Sequence, residues 1–335
     1  MIVLGIESSC DETAVAIVKD GKEILANIVL TQIDIHKKFG GVVPEVASRH
    51  HTRNITIVFK EAFEQAHLKY QDIDIVAVTE GPGLIGSLLV GINAAKVFAL
   101  MFNKPLIGVN HLAGHIYANN IDNDMKFPLI ALLVSGGNTE LIYMPKHFEF
   151  KILGETLDDA VGECYDKVAR VVGFPYPGGP HVDKHAHLGT DTYKLPRVFL
   201  GNDNYNFSFS GLKSAVINLN HNAEQRGETI DVDNLCASFQ DSVTEVLVSK
   251  TLKAAKEYNV KNIVVAGGVS ANKGLKERFQ KEAVGFNVSI PKIKYCTDNA
   301  VMIAVAGYFQ YKLSPNNRSL DMNANANMQL KSLDY

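Results

Sequence analysis

Two kinds of segment alternate along the chain. In the first, an apolar run enters a tight polar turn and leaves as a second apolar run. Ile2-Val3-Leu4-Gly5-Ile6 enters Glu7 to Thr13 and continues as Ala14-Val15-Ala16-Ile17-Val18. Leu129 to Val134 enters Ser135-Gly136-Gly137-Asn138-Thr139 and continues through Leu141 to Met144. Short apolar runs joined by turns of small residues and donors predict β-hairpins. In the second kind, a strand meets glycines and then a helical run. Ile75 to Thr79 meets Gly81-Pro82-Gly83 and a helix over Ser87 to Met101; Ile263 to Ala266 meets Gly267-Gly268 and a helix from about Asn272 to Ala283.

Each half therefore offers a hairpin and then a strand–glycine–helix unit, a repeat of architecture rather than of residues. A duplicated α/β domain with a cleft between its halves and a single large sheet carrying unrelated hairpins fit this order equally well. The polar stretch Asn119 to Lys126 predicts the link, giving an N-terminal lobe over 1–127 and a C-terminal lobe over 128–312, with the apolar helix from about 298 free to pack back on the first lobe. Residues 218–234 read as a polar surface excursion. The stretch 313–335, with Asn323, Asn325 and Asn327 in alternation, reads as a tail, disordered or weakly docked.

Composition narrows the function classes. The chain has 335 residues, 46% of them apolar, which suffices for two ordinary cores. A formal charge of −3 argues against coating nucleic acid by charge alone. Cys10, Cys164, Cys236 and Cys296 include no C-x-x-C pair, so neither a disulfide framework nor a cysteine zinc site is expected. The N-terminus lacks a basic leader, and no stretch reaches the ~20 apolar residues of a membrane span, so a cytoplasmic protein is expected.

His111 and His115 carry the first chemical signal. A spacing of four puts both imidazoles on one helix face, within reach of one ion, yet two unrelated histidines give the same spacing. A zinc-protease helix needs a glutamate beside the first histidine; here Leu112, Ala113 and Gly114 intervene, which disfavours proteolysis. Asp298 opens an apolar helix that Thr297 can cap, and as a first-turn carboxylate it complements the helix dipole, which explains it without a metal. It could equally complete a two-histidine, one-carboxylate site with open positions. The turn 135–139, Pro177-Gly178-Gly179-Pro180 followed by Asp183, and Gly267-Gly268 followed by Asn272 each suit close backbone approach to a phosphate ligand, though each alone is ordinary turn chemistry. Asp159, Glu163 and Asp166 share a helical face, a solvated acidic surface or a lining for ribose hydroxyls.

In combination the motifs are specific. Gly5-Ile6-Glu7-Ser8-Ser9-Cys10-Asp11-Glu12-Thr13, Gly40 to His51, His111-Leu112-Ala113-Gly114-His115, Ser135 to Thr139, Phe207 to Lys213, and Gly267-Gly268-Val269-Ser270-Ala271-Asn272 follow one another in order from Ile2 to about Tyr311. This series resembles the tRNA N6-adenosine threonylcarbamoyltransferase family, in its bacterial form, once described as O-sialoglycoprotein endopeptidases. The resemblance implies the two-lobed α/β fold of actin-like proteins, sugar kinases and heat-shock ATPases, with duplicated ribonuclease-H-like domains and a central cleft. It implies transfer of a threonylcarbamoyl group from threonylcarbamoyl-AMP to N6 of the adenosine just 3′ of the anticodon, in tRNAs reading codons that begin with A, with release of AMP.

By the same resemblance His111, His115 and Asp298 would hold one divalent ion, iron or zinc. Val134, Ser135, Gly136, Gly137 and Asn138 would hold the acyl-adenylate (or ATP, ADP or AMP in its place). Asp166, Gly179 and Asp183 would hold its ribose, and Asn272 would lie near the adenine. Bacterial relatives often carry His where this chain has Asn138, so Asn138 has no acid–base role. Glu12 is a candidate general base or a plain solvated turn residue. The expected partners are tRNA, an inactive paralogue forming a heterodimer through the first lobe, a small ATPase, and a separate enzyme that makes the adenylate. Arg49, His50, His51 and Arg53 form the most basic cluster, a helix surface before it is a phosphate contact. A sugar kinase or ATPase of the same fold, a metalloprotease and a non-catalytic scaffold are the competing readings.

Overall fold

A computed structural model describes residues 1–198, 200–201, 203–315 and 320–333. In chain order its strands are β1 (Ile2–Glu7), β2 (Glu12–Lys19), β3 (Glu23–Thr31), β4 (Ile75–Gly81), β5 (Leu106–Asn110), β6 (Leu129–Val134), β7 (Thr139–Met144), β8 (Lys151–Glu155), β9 (Asn262–Ala266) and β10 (Asn287–Ser289). The helices are α1 (Ile33–His36), α2 (Pro44–Ala66), α3 (Ile85–Phe102), α4 (His111–Tyr117), α5 (Val161–Val171), α6 (Gly179–Ala186), α7 (Ser210–Gln225), α8 (Val232–Glu257), α9 (Lys273–Glu282), α10 (Ile293–Cys296) and α11 (Ala300–Leu313).

The chain forms two compact units. The first comprises Met1–Met125, Lys146–Phe150 and Pro291–Tyr335; the second comprises Lys126–Pro145 and Lys151–Ile290. Each has its own five-stranded sheet, in the orders β3-β2-β1-β4-β5 and β10-β9-β6-β7-β8. In the first, β1–β2 and β2–β3 are antiparallel while β1–β4 and β4–β5 are parallel. The second repeats this plan, with β6–β7 and β7–β8 antiparallel and β6–β9 and β9–β10 parallel. Two sheets of one topology decide between the readings that element order left open: the α/β fold is duplicated.

In the first unit alternate residues of β1 serve opposite faces. Leu4 and Ile6 pack with Ile55, Val58 and Phe63 of α2 and Leu88, Ile92 and Phe98 of α3. On the other face α11 lies so close that a Cβ on Gly5 would meet the Ala300 carbonyl oxygen and Ala304, and a Cβ on Gly307 would meet Ala77. Cover on both faces explains why these strands are continuous apolar runs. Among the described residues α3, at 18 residues, is the one helix long and apolar enough to cross a membrane by length and composition, a test that a core helix also passes. Its Leu88, Ile92 and Phe98 face is core, while Val97, Leu100 and Met101 are exposed. In the second unit Ile130, Leu132, Val134 and Leu141 pack against Val161 and Tyr165 of α5, Leu212 of α7, and Phe239 and Val243 of α8.

Three segments lie as follows. The segment 291–335 clusters with the first unit, where α11 covers the first sheet. Residues 218–234 are mostly helix, the end of α7 and the start of α8, joined by a short polar link. The polarity that suggested an excursion belongs to the exposed side of α7, whose Leu212 and Val216 are buried. Of the 313–335 tail, residues 316–319 and 334–335 lie outside the described residues. Residues 320–333 run along the first unit: Asn325 donates to the Glu80 carbonyl at 3.0 Å, Gly83 donates to the Ala326 carbonyl at 3.2 Å, and Leu330 is buried.

Two expectations follow. Gly5→Ala should lower stability by about 1–3 kcal/mol, since α11 must lift off β1 to admit the methyl group; urea unfolding checks this, and an unchanged midpoint would contradict the close approach. On β7, Glu140 stands opposite Glu155 of β8, and its Oε2 is buried without a partner among the described residues. Burial, then the Glu155 charge, pushes its carboxyl up to about 7. The unfolded chain ionises near ~4.3, so stability is greatest below that value and is lost as pH rises through about 7. Glu140→Gln should flatten this fall, by at most about 4 kcal/mol at pH 8. A pH series of unfolding curves with the same slope for both proteins would refute it.

Candidate active site

In the first unit the carboxyl ends of three neighbouring parallel strands deliver the polar residues. Glu7 ends β1, Thr79 lies near the end of β4, and Asn110 ends β5. This is where open α/β sheets place ligands. Asn110 caps α4, its Oδ1 accepting from Leu112 N at 2.9 Å and Ala113 N at 3.3 Å, so His111 starts the helix and His115 follows one turn on. Their rings stand edge to face, with centroids 4.6 Å apart.

Asp298 meets them from the far end of the chain. Its Oδ1 is 3.5 Å from His111 Nε2 and 3.1 Å from His115 Nε2. The donor atoms of the three residues lie within 4.8 Å of one another. Ligands ~2 Å from a tetrahedral zinc ion are about 3–3.5 Å apart, so two nitrogens and one carboxylate oxygen here fit a small divalent ion. Asp298 is not a helix cap. Asn299 fills that position, its Oδ1 accepting from Met302 N at 3.1 Å, and α11 begins only at Ala300. The capping explanation that sequence allowed for Asp298 therefore falls to its neighbour, and the Asp298 carboxylate is left to the imidazoles.

The charges are strongly coupled. Burial alone would raise the Asp298 carboxyl, but the His111 charge and hydrogen bond, and then His115, outweigh it and hold the group well below the ordinary range. Burial likewise opposes a charge on His111, yet Asp298 and Glu7 hold its imidazole well above the usual value. Glu12 lies on β2, with its Oε1 accepting from Thr31 Oγ1 at 3.1 Å. Burial first, then the Asp298 and Asp11 charges, pushes the half-buried Glu12 carboxyl well up, and the residue lies in β2 rather than in the turn before it.

The second unit assembles the other expected residues around three helix starts. The turn after β6 is closed by Ser135 N donating to the Asn138 carbonyl at 2.9 Å and Asn138 N donating to Ser135 Oγ at 3.0 Å. The N–H groups of Gly136 and Gly137 make no hydrogen bond among the described residues, both glycines are exposed, and nothing stands within 4 Å of where their Cβ atoms would be. The first turn of α5 is tied to this turn, with Val161 N donating to Thr139 Oγ1 at 2.9 Å and Gly162 N donating to the Ser135 carbonyl at 3.2 Å. At Gly267, which has φ 90°, a Cβ would strike the Val134 carbonyl, so the second glycine turn abuts the first.

Asp166 of α5 accepts from Gly178 N at 2.6 Å and fixes the start of α6; burial raises its carboxyl. Asp183 of α6 accepts from Lys273 N at 2.9 Å and Gly274 N at 3.2 Å, and so fixes the start of α9. A Cβ at Gly179 would stand 4.0 Å from the Tyr165 Cβ, an ordinary contact. Asn272 is committed internally. Its Oδ1 accepts from Leu275 N at 2.7 Å, and its Nδ2 donates to Gln240 Oε1 at 2.8 Å and to Tyr165 OH at 3.4 Å.

Some assignments shift. Of the acidic stretch, Asp159 is neutralised by Lys167 and Lys213, each at 2.8 Å, and Lys167 also pairs with Glu163 at 2.7 Å. Asp159 and Glu163 thus form an ion cluster with the two lysines, and Asp166 is bonded to Gly178 N instead. In the basic cluster on α2, His51 is buried, with Nδ1 2.8 Å from Thr13 Oγ1 and Nε2 donating to the Cys10 carbonyl at 2.9 Å; burial lowers its pKa. Arg49 and Arg53 remain exposed. Sequence reasoning gave no role to Glu7, Ser9, Thr79, Tyr165 or Gln240. Glu7 and Ser9 lay in a quoted motif, while Thr79, Tyr165 and Gln240 carry no local signal because their partners are distant in sequence.

The family model for tRNA N6-adenosine threonylcarbamoyltransferase matches residues 23–305. The curated tRNA N6-adenosine threonylcarbamoyltransferase of Bacillus subtilis (strain 168) is 57% identical over 335 residues, covering 99% of this chain and 96% of the relative. That of Geobacillus thermodenitrificans (strain NG80-2) is 57% identical over 334 residues, covering 98% and 96%. Among solved structures, component A of the Acidaminococcus fermentans (R)-2-hydroxyglutaryl-CoA dehydratase aligns with TM-score 0.55 at 19% identity, covering 93% of this chain and 99% of that one. Full-length HypF in its phosphate- and nucleotide-bound form aligns with TM-score 0.60 at 13% identity, covering 95% and 47%. These structures bear on fold alone, and it is the expected α/β fold with a sheet in each half. The chain belongs to the tRNA N6-adenosine threonylcarbamoyltransferase family.

Asn299→Ala should cost about 1 kcal/mol of stability through the lost cap, with unfolding curves as the measure; no change would mean that the α11 start is held by packing alone.

Proposed function

We propose that this chain transfers a threonylcarbamoyl group from threonylcarbamoyl-AMP to N6 of the adenosine 3′ of the tRNA anticodon. The observation that carries this reading is identity of 57% over 99% of the chain with a curated threonylcarbamoyltransferase. The geometry supports it residue by residue. The exposed Gly136 and Gly137 N–H groups suit an adenylate phosphate, with Val134, Ser135 and Asn138 as the frame that holds them out. Asp166 and Asp183 keep acceptor capacity for ribose hydroxyls beside Gly179, which has no side chain to obstruct them. Asn272, with both ends of its amide occupied, positions the start of α9 near the adenine rather than reading the base with its side chain.

The acyl donor is already activated, so no protein nucleophile is needed. N6 attacks the carbamoyl carbon, the bond from that carbon to the phosphate oxygen breaks, AMP leaves with the electron pair, and N6 gives up a proton. Glu12, its carboxyl raised by burial, is the candidate to receive it. His111, His115 and Asp298 would hold one iron or zinc ion, which when bound supplies positive charge to a donor oxygen. The exposed Val97, Leu100 and Met101 of α3 support a subunit contact on the first unit, fitting a paralogue partner beside tRNA and a small ATPase.

Depletion of the protein should remove threonylcarbamoyladenosine from tRNA nucleosides measured by mass spectrometry. The wild-type chain should restore it, and Asp298→Ala should leave at least a hundredfold deficit. Full restoration by Asp298→Ala would remove the metal from the reading; undiminished nucleoside on depletion would remove the function.

A further inference from the structure

We propose that Glu7 is a positioning residue of the metal centre, the carboxylate that turns His111 toward the ion; this rests on the reading of His111, His115 and Asp298 as the ligands. Glu7 Oε2 lies 2.9 Å from His111 Nδ1, on the side of the ring away from Asp298. Ser9 Oγ, 3.1 Å from the same Nδ1, is a second and longer contact; with Nδ1–H donating to Glu7, the Nε2 lone pair points at the space shared with His115 and Asp298. A metal-bound imidazole commonly gives its other N–H to a carboxylate, which fixes tautomer and orientation and makes the ligand more basic.

Glu7 is itself held at both oxygens. Oε2 accepts from Thr79 Oγ1 at 2.7 Å, and Oε1 accepts from Ser9 N at 2.5 Å. The residue is fully buried. A buried carboxylate costs stability that an apolar side chain of the same size would not, so folding alone does not account for its presence. The centre is asymmetric: among the described residues His115 Nδ1 is buried without a partner, while His111 Nδ1 meets a carboxylate.

The test is zinc affinity, measured with the metal alone by competition against a chromophoric chelator, on wild type, Glu7→Gln, Thr79→Val and His115→Ala, with the visible spectrum of the cobalt-loaded proteins as a second readout. Wild type is expected to bind one ion. Glu7→Gln should bind ten- to a hundredfold more weakly with shifted cobalt bands. Thr79→Val, which frees the carboxylate to rotate, should show a smaller loss, and His115→Ala should lose binding. Glu7→Gln equal to wild type in affinity and spectrum, with His115→Ala defective, overturns the role of Glu7 and leaves the metal reading standing. Wild type no tighter than His115→Ala overturns the metal reading itself. Should Glu7→Gln fail to fold, unchanged affinity in Thr79→Val overturns the proposal.

Discussion

The contact between α11 and β1 governs the first unit. Asp298 is separated from His111 by the whole of the second unit's sequence, yet its carboxylate must reach a point 3.1 Å from one imidazole. The helix behind it achieves this by lying directly on the sheet, which only glycine at positions 5 and 307 permits. The same approach makes β1 a strand covered on both faces and sets Glu7, at its end, against His111. A cap one residue after Asp298 completes the device, because Asn299 satisfies the helix start and leaves the aspartate uncommitted.

In the second unit the ordering principle is different. There, carboxylates are spent on backbone N–H groups, Asp166 on the start of α6 and Asp183 on the start of α9. Buried amides follow suit, with Asn272 and Gln240 bonded to each other and to Tyr165. The result is a frame of helix ends locked to one another and to the glycine turn, with two N–H groups left over. Rigidity of this kind suits a ligand whose charge sits on phosphate oxygens.

Much of this was legible in the sequence. Apolar runs placed β1, β2, β4, β6, β7 and β9, because strands buried on both faces are continuous in hydrophobicity. The third strand of each meander, β3 and β8, was not read: both are edge strands, β3 half-buried along most of its length with Asn27 interrupting its apolar residues, and β8 short and largely exposed. The His111–His115 spacing was visible but ambiguous, since spacing cannot show whether a third ligand arrives. Thr297 looked like the helix cap because it precedes Asp298; the helix in fact starts two residues later than that reading needs. Glu7 was silent because its role depends on strand order, which puts β4 between β1 and β5 and so brings Thr79 to its side.

The unclaimed donors at Gly136 and Gly137 belong to the peptide backbone itself. Side-chain replacement can obstruct them but cannot delete them. Drift at this locus is therefore tolerated only where it adds no bulk, and an inhibitor aimed at these two amides would meet a surface that resistance mutations can crowd but not rewrite.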